Sequence, residues 1–420
     1  MSNDKVKRRS VSILSTIQNK NTLSIIIGIV FIFSLLIYQF NGTCVENNIA
    51  TYDNNGNIID SVQQLSQTPL KTITFTNLND LNGPSQVVIM SILPPWAIDG
   101  NTLDIFFKQL AQQTHKQTRV ALLVVNPPSP TTIYTVRQYI EKAHLHFPIA
   151  LYTKTFEPFQ DLLLNPDDES NQKAIYELEP LRRSLLARTR NYLLQSSLMT
   201  SDKYVLWLDP LLQEFPKTLI EDFIYIVEGK NNNHNDHSSS STIDILVPNT
   251  MIQKNGRDWG YDRSNWQETE MSKAIQETVA EDFIFMEGWW EFETRRFLLI
   301  DMMDTEDDIV KKVDDDKKKK KIKDNQHLFK KVPLDGVGST CLFVKAEIHQ
   351  SGINFPPYPY QHQLDSEAFA KAAQSEGYHI YGLPNYKIYR LNEDDEGEFD
   401  DSNSNGRLNH NNHDNIFNES

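Results

Sequence analysis

The sequence predicts an α/β protein: a Rossmann-like, mostly parallel sheet covered by helices and held behind a single N-terminal transmembrane helix. Three observations predict it. Short apolar runs alternate with longer amphipathic ones from Gln86 onward, the short runs are dense in Val, Ile and Leu, and an uncharged stretch, Thr22 to Phe40, follows a basic N-terminus.

The N-terminal stretch is read first. Lys5, Lys7, Arg8, Arg9 and Lys20 precede it, and its 19 residues are rich in Ile, Leu, Val and Phe. At about 1.5 Å per residue it reaches about 28 Å, close to a hydrocarbon thickness of roughly 30 Å. The basic flank keeps residues 1–21 in the cytoplasm, makes 22–40 a signal-anchor and gives a type II topology. A cleaved signal peptide is the rival reading, but the run is longer than the usual apolar core and no small-x-small pattern follows it. Asn41-Gly42-Thr43 and Asn418-Glu419-Ser420 are glycosylation sequons, consistent with a lumenal body. Residues 41–84, rich in Asn, Thr, Gln and Ser, read as a stem.

A catalytic-sized domain, 85–392, then begins. Val87–Met90, Val120–Val125, Ile149–Tyr152, Tyr204–Leu208 and Ile243–Val247 are expected strands; Leu103–Leu110, Tyr134–His144, Leu181–Met199 and Leu219–Val227 are expected helices. Such βαβ repetition places a ligand site at the carboxyl ends of the strands. Two low-complexity insertions interrupt it, 229–241 and 304–331, and an acidic, Asn-rich tail, 393–420, is expected to be disordered. The lysine run Lys317–Lys321 is neighboured by Asp314, Asp315, Asp316 and Asp324, which cancel most of its field.

Composition excludes several classes. Of 420 residues, 39% are hydrophobic, so a wholly disordered chain is ruled out; 56 acidic against 41 basic residues, a net charge of −15, argue against nucleic acid as a partner. Cys44 and Cys341 are too few for a disulfide framework or a thiolate zinc site, and whether they form one bridge stays open.

Asp209, which ends the apolar run Tyr204–Leu208, is the strongest chemical signal. An acid at a strand's carboxyl end sits in the ligand crevice, where transferases using nucleotide sugars place carboxylates to hold a divalent cation against the diphosphate. The equal alternative is that Asp209 caps the turn before Pro210.

Arg182–Leu194, the strand ending at Asp209 and Asp244–Asn249 resemble the fungal mannan-polymerase subunit family of α-1,6-mannosyltransferases, glycosyltransferase family 62. Tyr261–Glu270, Glu287–Glu291, Asp335–Ser339, Gly352–Pro356, Asp365–Phe369 and Gly382–Tyr386 extend the likeness in order. It implies a GT-A nucleotide-sugar transferase fold, a type II Golgi membrane location, a hexosyltransferase taking mannose from GDP-mannose with Mn2+, and hetero-oligomers with related mannosyltransferases acting on mannan or N-glycan acceptors.

Three departures qualify what is carried over. Asp209 matches the first acid of the family's Asp-x-Asp, but Leu211 holds the second place, and Arg390 stands where a metal-binding histidine is expected, leaving the metal site incomplete. Asn126 stands near the family's Ser-Asp pair after the second strand. Either Arg390 replaces the cation at the diphosphate, or donor binding has decayed and the chain is a noncatalytic subunit of a complex. A lectin-like receptor, binding glycan without nucleotide, is a third class.

The remaining candidates are weighed against blander roles. Asp209 and Glu367 are the candidate catalytic acids, Glu367 toward the acceptor hydroxyl; its alternative is an exposed helix face. Arg188, Arg190, Asn126, Asp335 and Arg390 are the candidate donor-binding residues, with Arg188 and Arg190 alternatively solvent-facing. Trp266, Trp289 and Trp290 are sugar-stacking candidates or core.

Overall fold

A computed structural model describes residues 48–52, 58–59, 73–75, 86–98, 100–156, 172–229, 242–287, 294–304 and 328–391. The expected anchor at 22–40, the tail at 393–420 and most of both insertions lie outside the described residues, within which no helix is long and apolar enough to cross a membrane.

Within the expected stem, β1 (Asn48–Tyr52), β2 (Ile58–Ile59) and β3 (Ile73–Phe75) form a small separate sheet in the order β2-β1-β3. The main body follows as β4 (Val87–Leu93), α1 (Gly100–Ala111), β5 (Thr118–Val125), α2 (Pro130–Ala143), β6 (Ile149–Lys154), α3 (Gln172–Ser197), β7 (Tyr204–Leu208), β8 (Leu212–Glu214) and α4 (Leu219–Glu228). It continues through β9 (Ile245–Lys254), β10 (Arg257–Gly260), β11 (Trp266–Gln267), α5 (Glu270–Gln276), β12 (Phe297–Leu298), β13 (Val332–Pro333), β14 (Cys341–Lys345), α6 (Ala346–Gln350), α7 (Asp365–Ser375) and β15 (Ile380–Arg390).

The central sheet has the order β13-β15-β9-β14-β7-β4-β5-β6. Six of these eight strands run one way, with β13 and β14 opposed. The result is a mixed α/β fold on a mostly parallel sheet. Every residue of β5 and of β7 is buried, because helices cover both faces and an uninterrupted apolar run suits such a strand.

Alternate residues divide the core. Ile89, Leu122, Leu206 and Phe343 face one layer with Phe106 and Phe107 of α1, Val136 of α2 and Phe223 of α4. Met90, Leu123, Trp207 and Leu342 face the other, with Leu185 and Leu193 of α3 and Phe369 of α7. Burial of each large side chain contributes about 1.5–3 kcal/mol before entropy is subtracted. The α4 pattern shows the local cause: Leu219, Ile220, Phe223, Ile226 and Val227 recur on one helical face, and Gly229 at φ 59° stops the helix in the left-handed conformation that glycine adopts freely.

A buried ion pair fixes the lower end of the sheet. Arg119 of β5 pairs with Asp202 and donates to the Ser197 carbonyl at 2.6 Å, tying the end of α3 to the entry of β7. Phe329 and Lys330, inside the span 304–331, are also packed: Phe329 stacks on Tyr386, and Lys330 donates to Asp304 at 2.8 Å. Cys341 is a buried free thiol, and Cys44 lies outside the described residues.

Candidate active site

A cavity of about 540 Å³ opens at the carboxyl ends of β4 and β7. Because β14 runs the opposite way, the loop before it, Gly338–Thr340, arrives at the same end; so do Arg390 at the close of β15, the Tyr261–Ser264 loop and the start of α7. Five arginines (Arg182, Arg183, Arg190, Arg263 and Arg390) and five acids (Glu179, Asp209, Asp262, Glu287 and Asp365) line it. Aliphatic side chains do not fill it.

Asp209 is held by the turn it makes. Its N–H donates to the Thr340 carbonyl at 2.8 Å, and its Oδ1 accepts from the Leu211 N–H at 2.8 Å. The turn-capping reading and the cavity position are both realised in one side chain. The same turn carries Leu211 into the core, where it is 2% exposed, and the Leu211 carbonyl accepts from Leu391 N–H at 2.8 Å. That bond brings the end of β15 beside Asp209. Arg390, 5% exposed, lays its guanidinium over the Tyr261 ring at 4.1 Å from the centroid.

One face of α3 supplies the opposite wall. Glu179, Arg182, Arg183, Leu186 and Arg190 follow i, i+3, i+4, i+7 and i+11, so they share a side of the helix. Arg188 is off that face: it is exposed, with its guanidinium 5.5 Å from the Phe156 ring, and does not line the cavity. Glu179 accepts from Arg182 at 2.5 and 2.8 Å and from Arg183 at 2.8 Å. Burial opposes its charge, but the two guanidiniums outweigh burial and hold the carboxyl below its ordinary range.

Glu367 lies behind this wall, 1% exposed, rather than on an exposed helix face or in the cavity. Its Oε2 accepts from Arg183 at 3.1 Å and its Oε1 from the Trp266 indole N–H at 3.3 Å. The carboxylate that α7 does present to the cavity is Asp365, paired with Arg190, which also donates to Ser339. Burial pushes the Asp365 carboxyl above its ordinary range despite Arg190, Arg183 and Arg182. Burial does the same to Asp262, outweighing the bonds from Thr340 and Ser264.

The glycines of Asp335–Gly338 serve packing. A Cβ at Gly336 would lie 2.2 Å from the Trp266 ring, and one at Gly338 would lie 2.0 Å from the Asp262 carboxylate. Asp335 is directed away from the cavity, accepting from Glu268 N–H at 2.7 Å and Gln374 at 3.3 Å. Asn126, in the left-handed region at φ 45°, accepts from Phe156 N–H at 2.8 Å and secures the end of β5 outside the cavity lining. Trp266 is fully buried under Arg296, whose guanidinium is 3.6 Å from the ring centroid, so it is core; Trp289 and Trp290 lie outside the described residues.

Of the candidates, Asp209, Arg190 and Arg390 therefore converge, while Arg188, Glu367, Asn126 and Asp335 do not line the cavity. The divalent cation implied by resemblance meets a poor donor set: one carboxylate, an aliphatic side chain turned inward and a guanidinium. Among the described residues no three acid, His or Cys side chains are grouped to hold a metal. Asp209, Leu211 and Arg390 thus do not fit a divalent cation.

A mostly parallel α/β sheet with a charged crevice at its strand ends defines an open α/β protein of the ligand-binding kind. The chain belongs to the Anp1 family, whose model matches residues 64–359, as the sequence motifs indicate. Mannan polymerase complex subunit mnn9 of Schizosaccharomyces pombe is 32% identical over 234 residues, 56% of this chain and 59% of that protein. The mannan polymerase I complex VAN1 subunit of Saccharomyces cerevisiae is 25% identical over 342 residues, 76% of this chain and 57% of that protein. The chain thus spans under two thirds of the length of either relative. Among solved structures, the mannosyltransferase PcManGT from Pyrobaculum calidifontis aligns at TM-score 0.34 and 10% identity over 73% of this chain and 58% of that one.

Proposed function

We propose that the cavity binds GDP-mannose and that the protein transfers mannose in α-1,6 linkage to a mannan or N-glycan acceptor, as a GT-A-fold subunit assembled with related mannosyltransferases in the Golgi membrane. The anchor at residues 22–40 makes it a single-pass type II protein with a lumenal body. One observation carries the reading: Asp209, Arg190 and Arg390 line the same crevice at the strand ends. Membership of the Anp1 family and the names of its relatives, subunits of mannan polymerase complexes, support it.

The arginines give the chemistry a physical basis. A guanidinium offers planar paired donors that match phosphate oxygens, and Arg390 is already oriented by Tyr261. It neutralises charge that builds on the departing diphosphate as the bond to the anomeric carbon breaks. Asp209, fixed by its turn, orients the mannose or the acceptor alcohol.

A second reading is favoured by the burial of Leu211, which leaves one carboxylate where the family places two: a noncatalytic subunit that stabilises active homologues. Full-length protein assayed with GDP-mannose and a mannoside acceptor separates the two. Transfer that Asp209→Ala abolishes supports the enzyme; absence of GDP and GDP-mannose binding, with and without Mn2+, leaves the noncatalytic subunit.

A further inference from the structure

The turn after β4 brings to the cavity an aromatic ring that the fold does not use. Pro95–Ala97 is a single 3-10 turn, closed by the Ala97 N–H donating to the Pro94 carbonyl at 3.0 Å, and the two prolines fix its φ angles. Its residues divide by side. Pro95 and Ile98 border a small hollow at the start of α2, Ala97 is fully buried, and Pro94 and Trp96 line the main cavity. Trp96 is partly exposed, and among the described residues its indole makes no hydrogen bond and no ring contact. The other two aromatic residues of the lining are already engaged: Trp207 is 2% exposed, and Tyr261 carries the Arg390 guanidinium.

The surroundings of Trp96 decide what it meets. Ile92 and Pro94, which line the cavity from the same strand end, have no hydrogen-bonding side chain. A hexose needs polar partners for its hydroxyls, whereas a purine offers a flat π face that stacks on an indole without one. In the sheet, β4 lies on the opposite side of β7 from β15, so Trp96 and Arg390 reach the cavity from opposite sides of the Asp209 strand. A nucleotide whose diphosphate sits at Arg390 has its base at a distance from that charge, and Trp96 supplies an apolar face there. We propose that Trp96 is the stacking platform for the purine base of the nucleotide bound in this cavity. The inference deepens the reading of the cavity as a GDP-mannose site and rests on it.

Calorimetric titration of full-length protein with GDP, inorganic pyrophosphate and a mannobiose tests it in the wild type, Trp96→Phe and Trp96→Ala. Trp96→Phe keeps a smaller ring and so guards against a failure to fold, which thermal unfolding checks. The expected result for Trp96→Ala is at least about fivefold weaker GDP binding, the size of one lost base stack, with Trp96→Phe in between and pyrophosphate and mannobiose affinities unchanged. GDP affinity unchanged in folded variants overturns the proposal while the GDP-mannose reading stands. Weakening of pyrophosphate by the same factor as GDP overturns it by placing Trp96 at the diphosphate, and weakening of mannobiose alone overturns it in favour of an acceptor sugar. A wild type that does not bind GDP overturns the proposal and the GDP-mannose reading together.

Discussion

Arg390 lies over Tyr261, its guanidinium carbon 4.1 Å from the ring centroid, at the point where the last strand of the sheet meets the cavity. The stack restrains a side chain that otherwise carries about 2 kcal/mol of rotamer entropy. A planar cation held flat and largely desolvated can meet a diphosphate at little further ordering cost.

Replacing Arg390 by Lys keeps the charge and removes the fork and the stack. GDP affinity is expected to fall roughly tenfold, with a smaller loss for Tyr261→Leu, which removes only the stack. Titration of GDP in both variants checks this; equal affinities across all three proteins would remove Arg390 from the diphosphate.

Restoring the family's second acid and its histidine is not expected to restore a metal site. Leu211 is 2% exposed with its side chain turned into the core, so Leu211→Asp buries a carboxylate and is expected to destabilise the fold by about 2–5 kcal/mol. The double variant Leu211→Asp, Arg390→His should unfold at lower urea without gaining Mn2+-dependent GDP binding. Strong new Mn2+ dependence in a stable double variant would show that residue 211 reaches the cavity.

Asp202→Ala tests the buried pair at the other end of the sheet. It strands Arg119, whose side chain is 5% exposed, beside an apolar strand. A loss of about 3–5 kcal/mol is expected from urea unfolding. A change below about 1 kcal/mol would mean that the guanidinium finds water.

Stability should also fall in acid through His349. Burial depresses its folded pKa to about 4, against about 6.5 in an unfolded chain. Below about pH 6.5 the unfolded state takes up the proton first, so stability present at neutral pH is lost as pH falls toward 4, by at most about 3 kcal/mol. Urea unfolding of wild type and His349→Phe at pH 7, 5.5 and 4.5 checks the sign. If the two proteins lose stability in parallel, His349 is not the group responsible.

Much of the sheet was legible because a strand buried on both faces needs an uninterrupted apolar run, as in Val120–Val125 and Tyr204–Leu208. Strand direction was not. Cys341–Val344 is just such a run, yet it enters antiparallel between β7 and β9, and nothing in an all-apolar run encodes which way it points. The site was legible where chemistry sat on a strand end, at Asp209, but on α3 Arg188 stood as a candidate beside Arg190, and Glu179, Arg182 and Arg183 were not candidates at all. Arg190 shares a face with Glu179, Arg182 and Arg183, and that spacing separates it from Arg188. Glu367 and Asp365 differ by two positions, which on a helix sends them to different surroundings, one behind the arginines and one to the cavity. Which of them faces the cavity depends on how α7 docks, a property of tertiary packing.

The bond from Leu391 N–H to the Leu211 carbonyl means that the crevice is finished by β15, the last strand in chain order among the described residues. The strands β4, β5, β6 and β7 all precede Arg390 in the chain, so the wall that carries Asp209 is synthesised well before the residue that closes the mouth. A stop codon just before β15 would therefore be expected to yield a partly structured product that cannot hold ligand.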